Sequence, residues 1–221
     1  MKTMEVKQIV QQMMSAGVHF GHKTKNPKML PYIYKEKDDL QIIDLFQTYK
    51  YLRTTSQFLF NASQNGKKVL FVGTKKHIAK CIEQTAIDCD SWYINKRWLG
   101  GFLTNFNTVK NSLSTSLTIT KKERAHLERR QKRIQKYLGG VQTMSKLPDI
   151  VIILGQNKEI NAVKECNKLK IPSVTILDTD CDPSLTDFLI PANDDSLTSV
   201  NFILNKLSKA IKEGKKQKHV K

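Results

Sequence analysis

Short apolar segments that alternate with helical patterns restrict the folds open to this chain more than any other feature. Val69–Val72 and Ile150–Leu154 are unbroken apolar runs, and Ser173–Leu177 repeats the pattern. Such runs are typical of strands buried on both faces of a parallel sheet. A helical pattern follows each of the first two runs within a few residues. The alternation predicts a three-layer α/β/α sandwich around a parallel sheet.

The remaining elements fit the same architecture. Apolar periodicity predicts further helices at residues 4–15, around 45–62 and at 75–86, 159–169 and 196–212. Further short strands are predicted at residues 32–34, 40–45, 92–94 and 188–190.

An insertion separates the strands at 92–94 and 150–154. Apolar residues from Phe102 to Leu117 recur at helical spacing, which predicts one helix. Thr120 and Glu123 match a capping box, and the second helix that they introduce ends before Gly139-Gly140. Two such helices predict an antiparallel arm. The expected division is a single α/β core domain (1–103 and 147–213), an inserted helical hairpin (104–146) and a basic C-terminal tail (214–221).

Positive charge is concentrated in two places. The net charge is +17 and the isoelectric point is about 9.7. Residues 110–146 contain ten Lys or Arg against two Glu, and residues 206–221 contain seven Lys against one Glu. These stretches carry 14 of the 17 excess charges. An almost neutral body with two basic extensions indicates a polyanionic partner, nucleic acid above all.

Several functional classes find little support. No apolar run approaches the length of about 20 residues that a membrane-spanning helix requires, and the first residues resemble no signal or transit sequence. The four cysteines (81, 89, 166 and 181) are scattered, which favours buried thiols over a disulfide framework or a zinc knuckle. No nucleophile has an adjacent base in sequence. We expect no catalytic residue, no cofactor, no membrane contact and no small-molecule substrate.

One acidic cluster admits an enzymatic interpretation. Asp178, Asp180 and Asp182 follow a predicted strand at the sheet edge where α/β proteins bind ligands, so a magnesium-dependent phosphoryl-transfer site is an alternative. A polar loop in which these carboxylates cap the turn at Pro183 is the favoured interpretation. Asp194 and Asp195 precede the last helix, and we expect them to cap its N-terminus.

Two basic segments are the main candidates for phosphate contacts. His19 and His22 share a proline-containing loop with three lysines, and zinc held by these histidines with a distant Asp is the alternative there. In Lys96-Arg97-Trp98, two cations flank an indole that either stacks on a base or packs in the core. Gly73-Thr74-Lys75-Lys76 lacks the spacing of a nucleotide-binding loop and is interpreted as a simple turn.

The arm supplies the largest group of cations. Too few acidic residues accompany them for a salt-bridged surface helix, which favours RNA contact, with an acidic protein partner as the alternative. The predicted RNA-binding residues are His19, His22, Lys23, Lys25, Lys28, Lys96, Arg97, Trp98, Lys110, Lys121, Lys122, Arg124, Arg129, Arg130, Lys132 and Arg133.

Several sequence blocks together resemble one protein family. The blocks are Ala16–His22, Asn26–Met29, Val69–Lys76, Asn95–Gly101, Leu103–Asn105, Leu138–Gly140, Leu147–Asp149 and Ile190–Asp195. In this order they resemble the S2 family of small-subunit ribosomal proteins over residues 4–213. The dipeptide Asn95-Lys96 and the segment Leu204–Leu207 near the C-terminus resemble plastid members more than typical bacterial ones.

The resemblance implies a function as well as a fold. It implies a flavodoxin-like sheet with an inserted helical hairpin, seated between the head and body of the small ribosomal subunit. The partners that it implies are small-subunit ribosomal RNA and neighbouring ribosomal proteins, including the large first protein of the subunit. It places the chain in a plastid ribosome, with the bacterial cytoplasm as the alternative. The loop after His22 and the arm are both shorter than in many relatives.

Overall fold

A five-stranded parallel sheet forms the centre of the computed structural model, which describes residues 2–113 and 137–218. The helices are α1 (Lys2–Ser15), α2 (Leu45–Gln64), α3 (Ala79–Asp88), α4 (Phe106–Leu113), α5 (Ile160–Leu169) and α6 (Leu197–Lys218). The strands are β1 (Ile33–Lys37), β2 (Leu40–Ile43), β3 (Val69–Val72), β4 (Trp92–Ile94), β5 (Ile150–Leu154), β6 (Ser173–Leu177) and β7 (Phe188–Pro191). Short 3-10 helices span Pro27–Tyr32, Gly139–Val141 and Pro183–Leu185.

The order of the strands confirms the predicted α/β class. The sheet runs β4-β3-β5-β6-β7, and each neighbouring pair is parallel. Numbered within the sheet, this is the 2-1-3-4-5 order of flavodoxin-like folds. All carboxyl ends of the strands therefore meet at one edge, and the segments that leave β3, β5 and β6 are brought together there.

Two apolar cores sandwich the sheet. Successive residues of a strand point to opposite faces, so Phe71 and Ile152 join one core while Leu70 and Val151 join the other. Helices α1, α2, α3 and α6 contribute buried or half-buried residues to the first core. The second core contains residues of α5 together with the turn after β4. Every residue of β5 and β6 is buried, as the unbroken pattern predicted.

A small antiparallel hairpin lies outside the main sheet. Strands β1 and β2 pair around Asp38 and Asp39, which both adopt positive φ angles of 52° and 60°. This backbone is the one that a tight two-residue hairpin requires, and Asp tolerates it better than most residues. Phe20 forms an isolated antiparallel bridge with Ile42, which ties the basic loop to this hairpin.

The predicted arm lies mostly outside the described residues. Helix α4 covers the start of its first helix, and residues 137–141 end the segment. Gly140 returns the chain to the sheet so closely that a Cβ there would lie 2.3 Å from the Tyr93 carbonyl oxygen. A side chain at this position would displace backbone, which explains the need for glycine. The inserted hairpin itself stays a prediction.

The last helix is longer than expected. It continues to Lys218 instead of ending near Lys212, so residues 214–218 form helix and not a separate tail. Gly214 is buried against α2, where a Cβ would lie 2.4 Å from the Phe60 carbonyl oxygen. Within the two described ranges, no helix has the length and apolarity to cross a membrane.

Candidate nucleic-acid interface

The basic loop, residues 19–28, is fastened to the carboxyl edge of the sheet. Directly after β6, the Thr179 hydroxyl accepts the His22 backbone N–H at 2.9 Å, and its carbonyl accepts the Asn26 N–H at 2.8 Å. Gly21 lies so close that a Cβ would be 2.5 Å from the Thr179 methyl carbon. The loop therefore has a fixed position on the protein surface.

Three lysines project from this loop. Lys23 is exposed, Lys25 pairs with Glu36 at 2.8 Å and Lys28 pairs with Asp182 at 2.7 Å. Hydrogen bonds from Lys28 and Ser184 lower the pKa of Asp182 to about 2. Exposed ion pairs of this kind contribute little to stability, so a phosphate can compete for the same ammonium groups.

The His22 side chain does not project into solvent with the three lysines but contacts a cluster of carboxylates. Its Nδ1 lies 3.1 Å from Asp178 Oδ2, and its Nε2 lies 3.1 Å from Asp195 Oδ2. The hydrogen bond to Asp178 raises the pKa of His22 to about 9, against the opposing effect of burial, with help from the charges of Asp178, Asp180 and Asp195. The imidazole is therefore protonated at neutral pH and bridges two sequence-distant carboxylates.

Lys75 completes the cluster from the turn after β3. Its ammonium group donates to Asp194 Oδ1 and to Asp195 Oδ1, both at 2.7 Å. The pKa of Asp194 is raised to about 6, because burial disfavours its charged form more strongly than Lys75 favours it. The sequence singled out Lys75 only as part of a turn, and its role as the counterion of Asp194 was not foreseen.

The expectation that Asp194 and Asp195 cap α6 is wrong. Asn193 Oδ1 accepts the backbone N–H groups of Asp195 at 2.8 Å and Ser196 at 2.9 Å, which closes a turn just before α6 begins at Leu197. The two aspartates instead turn toward Lys75 and His22.

The three carboxylates after β6 point to different partners. Asp178 contacts His22, Asp180 accepts from Asn157 Nδ2 at 2.8 Å, and Asp182 accepts the Ser184 N–H at 2.9 Å. The last contact caps the 3-10 helix at Pro183, as predicted for the polar-loop interpretation. Asp182 also forms the ion pair with Lys28. Oxygen atoms of Asp178 and Asp180 lie within 4.8 Å of each other beside His22, whereas Asp182 is not part of this group, so the three carboxylates do not share one site.

The turn after β4 exposes two cations and buries the indole ring that follows them. Lys96 and Arg97 are exposed, and neither forms an ion pair within the described part of the chain. Trp98 is only 8% exposed and packs edge-on against Phe102 with ring centroids 5.2 Å apart. The core interpretation of Trp98 fits this position, since a buried ring cannot stack on a base.

Glu165, from α5, holds this turn in place. Its carboxylate accepts the Trp98 indole N–H at 2.9 Å and the backbone N–H groups of Gly101, Leu103 and Thr104 at 2.8–3.1 Å. Burial raises the pKa of Glu165, but these hydrogen bonds lower it by more than burial raises it. The net pKa is therefore below its ordinary value. The sequence gave no sign of this anchor, because its partners lie more than 60 residues away.

An apolar groove lies beside the basic loop and was also missed. His19 packs against Phe20 with ring centroids 4.0 Å apart, and burial lowers the pKa of His19. Phe20, Tyr34 and Phe46 line the groove and are 46%, 70% and 64% exposed. The sequence predicted a short strand at residues 32–34, but not that aromatic side chains from three segments share one surface.

The predicted contacts on the arm are largely untested by the structure. Lys110, on α4, donates to the Ser145 carbonyl at 3.1 Å across the base of the insertion. The other predicted arm contacts lie outside the described residues: Lys121, Lys122, Arg124, Arg129, Arg130, Lys132 and Arg133.

Comparison with known proteins identifies the family. The family described as "Ribosomal protein S2" matches residues 13–214. A relative from Oltmannsiellopsis viridis, "Small ribosomal subunit protein uS2c", is 47% identical over 93% of this chain and 92% of its own. The uS2c of Mesostigma viride is 47% identical over 95% and 98% of the two chains, and the uS2 of Nostoc punctiforme is 48% identical over 92% and 83%.

These matches decide between the interpretations that the sequence left open. The family and its relatives are structural proteins of the small ribosomal subunit and not enzymes, which confirms the non-enzymatic prediction. Chloroplast and cyanobacterial proteins are among the relatives, which confirms the plastid-type assignment and supports a location at the plastid ribosome. The chain belongs to the ribosomal protein S2 family.

Proposed function

We propose that the chain binds small-subunit ribosomal RNA between the head and body of the subunit, and that it does so mainly through phosphates. The observation that carries the proposal is the pair of exposed cations Lys96 and Arg97 on a rigidly anchored turn. Cations at fixed positions recognise the shape of a folded RNA backbone, whereas sequence is read through base edges.

The loop at residues 19–28 is the second proposed contact. Lys23, Lys25 and Lys28 lie on a segment whose backbone is hydrogen-bonded to the sheet edge. The pairs of Lys25 with Glu36 and Lys28 with Asp182 are exposed, so phosphates can replace their carboxylates at little energetic cost. The arm cations from 121 to 133 are proposed as a third contact on the strength of their charge alone. His22 and Trp98 are not among these contacts.

Salt dependence of RNA affinity tests the phosphate mechanism. Binding of the full chain to plastid small-subunit RNA is measured over a range of salt concentrations, with Lys96→Gln/Arg97→Gln as the variant. Each lost phosphate contact should reduce the slope of log affinity against log salt by about one. Lys80→Gln/Lys168→Gln removes two charges from exposed positions elsewhere and serves as the control.

The outcomes separate the alternatives clearly. A weaker affinity and a shallower salt slope for the turn variant alone support the proposed contact. Equal slopes for both double variants would contradict it, because the effect would then depend only on net charge. An affinity of the unaltered chain that hardly changes with salt would contradict the phosphate mechanism as a whole.

The apolar groove supports a protein partner as well. Aromatic side chains that are this exposed and this close together mark contact surfaces on soluble proteins. We propose that a neighbouring ribosomal protein, the large first protein of the subunit, docks on Phe20, Tyr34 and Phe46. Tyr34→Ala/Phe46→Ala should abolish binding of that protein and leave RNA affinity unchanged. Unchanged binding of the first protein would place its contact elsewhere.

A further inference from the structure

We propose that Lys76, on the turn after β3, binds the same stretch of RNA backbone as Lys96 and Arg97, and that the buried Glu159 is the positioning residue that holds this turn. The turn, residues 73–78, connects β3 to α3. Its sequence lacks the spacing of a nucleotide-binding loop. This contact rests on the RNA binding proposed for Lys96 and Arg97 and adds a second element of the fold to it.

The turns after β3 and β4 lie side by side at the carboxyl edge of the sheet. The two strands are parallel neighbours that end in register, and adjacent strands are about 4.8 Å apart. The pairing continues into the first turn, where the Gly73 backbone N–H donates to the Ile94 carbonyl at 3.0 Å. The Asn95 side chain donates to the Ala79 carbonyl at 2.9 Å and so links the turn after β4 to the start of α3. The cations of the two turns are therefore close enough to meet one strand of RNA.

Lys76 is the lysine of this turn that stays available to a ligand. Its neighbour Lys75 donates to Asp194 and Asp195, both at 2.7 Å, so these carboxylates balance the charge of Lys75. Lys76 is exposed and forms no ion pair among residues 2–113 and 137–218. An ammonium group without a carboxylate partner suits a phosphate, which it binds as a point charge.

A buried carboxylate holds the turn that carries Lys76. Glu159, directly before α5, is only 2% exposed. Its Oε1 accepts the Thr74 backbone N–H at 3.0 Å and also the Thr74 hydroxyl. Lys158 donates to the Thr74 carbonyl at 3.0 Å, so both backbone polar groups of Thr74 are bonded to the segment before α5. A turn that is fixed in advance loses less conformational entropy when its lysine binds a ligand.

Helix α5 and the residue before it hold both cationic turns. Glu159 holds the turn after β3, and Glu165, on the helix itself, holds the turn after β4. Because the two carboxylates belong to one continuous segment, the fold sets the spacing between Lys76, Lys96 and Arg97. Cations at fixed spacing match a folded RNA backbone, which is recognised by its shape and its phosphates. An acidic protein segment, the alternative ligand, lacks the regular charge spacing of a nucleic acid.

The salt dependence of RNA affinity tests the contact of Lys76. Binding of the full chain to plastid small-subunit RNA is measured over a range of salt concentrations for Lys76→Gln, alone and combined with Lys96→Gln/Arg97→Gln. Lys76→Gln should weaken binding and reduce the slope of log affinity against log salt by about one, and the triple variant should reduce it by about three. Lys168→Gln is the matched control, because this exposed lysine lies in the last turn of α5, which leads to the opposite edge of the sheet.

The slopes separate this contact from the proposed function. A slope that changes for Lys96→Gln/Arg97→Gln but not for Lys76→Gln would overturn the contact of Lys76 and leave the proposed function intact. Unchanged slopes for all of these variants would overturn both. Equal effects of Lys76→Gln and Lys168→Gln would also overturn the contact, because net charge alone would then explain them.

Variants of Glu159 test its positioning role. Glu159→Gln keeps an Oε1 acceptor for both Thr74 donors and should bind RNA like the unaltered chain. Glu159→Ala should weaken RNA binding, but it should cost no further affinity in a chain that already carries Lys76→Gln, since its effect passes through that lysine. Thr74→Val loses only the hydroxyl bond and should show the same dependence on Lys76 if Glu159→Ala does not fold. A loss of affinity that simply adds to that of Lys76→Gln would overturn the positioning role.

Discussion

Two basic segments of this protein are held to the sheet by opposite means. The turn after β4, residues 95–105, is anchored by one buried carboxylate, Glu165, that accepts N–H groups from neutral donors. The basic loop, residues 19–28, is anchored by backbone hydrogen bonds to Thr179 and by the ionic cluster around His22.

The difference lies in how each anchor depends on solvent conditions. Neutral N–H donors keep their protons throughout the accessible pH range, so the Glu165 anchor responds only to the protonation of its own carboxylate. The His22 anchor depends on the charge states of an imidazole and several carboxylates together. The turn that carries Lys96 and Arg97 is therefore held independently of the charge of its N–H donors, whereas the position of the basic loop depends on the protonation of His22 and its carboxylates.

Removal of Glu165 should have the largest effect. Glu165→Ala leaves the Trp98 indole N–H and three backbone N–H groups without their acceptor, and each buried unpaired donor is costly. We expect a loss of about 3 kcal/mol in the free energy of unfolding, measured by urea denaturation. Glu165→Gln keeps one acceptor oxygen and should lose less. Equal stability of Glu165→Ala and the unaltered chain would show that the turn does not need this anchor.

Acid should weaken the same anchor. The hydrogen bonds hold the folded-state pKa of Glu165 below its ordinary value of 4.5. The carboxylate therefore contributes stability that is fully present above pH 4.5 and is lost as the pH falls through the folded-state pKa. Unfolding free energies measured from neutral pH downward should fall more steeply for the unaltered chain than for Glu165→Gln. Parallel profiles would contradict the assignment.

The corresponding change in the basic loop should cost less. Thr179→Val is nearly isosteric but deprives the His22 backbone N–H of its acceptor and Thr24 of a donor. We expect a loss of about 1–2 kcal/mol, and faster hydrogen exchange in residues 20–26. Thr198→Val removes an exposed hydroxyl bond to Ala16 and is the matched control. A loss as large as that of Glu165→Ala would erase the contrast between the two anchors.

The smallest effect is expected at the surface of the loop. Lys28→Gln breaks the ion pair with Asp182. The Lys28 side chain is 56% exposed and the Asp182 side chain 26%. The loss in unfolding free energy should be below about 1 kcal/mol. A double-mutant cycle with Asp182→Asn isolates the pair from other effects. A coupling energy well above this limit would mean that Lys28 is a structural residue and not a cation available for phosphate.

The fold was predictable because its signals are local. Every residue of β5 is apolar, and the apolar periodicity of the following helix, Ile160–Leu169, begins a few residues after the strand ends. The end of α6 was missed because its last turns are rich in lysine, which hides the packing of Gly214 against α2. Glycine permits this close packing, because a Cβ at position 214 would lie 2.4 Å from the Phe60 carbonyl oxygen.

The anchors of the site were not predictable for a different reason. Glu165 resembles any polar residue on an amphipathic helix, and its partners begin more than 60 residues earlier in the chain. His22 was predicted as a phosphate contact, with a distant Asp named only in the zinc alternative, and nothing in the sequence identified Asp178 as its ion-pair partner. Such pairings arise only when parallel strands bring their carboxyl ends to one edge.

The close return of the chain at Gly140 has a consequence for how the arm can vary. Leu103 before the insertion and Val141 after it are buried in the same core, and Lys110 reaches the Ser145 carbonyl across the base. The two ends of the insertion therefore lie side by side at one place on the core domain. The arm can therefore gain or lose residues between these two ends without a change in the sheet, since the ends are fixed independently of what lies between them.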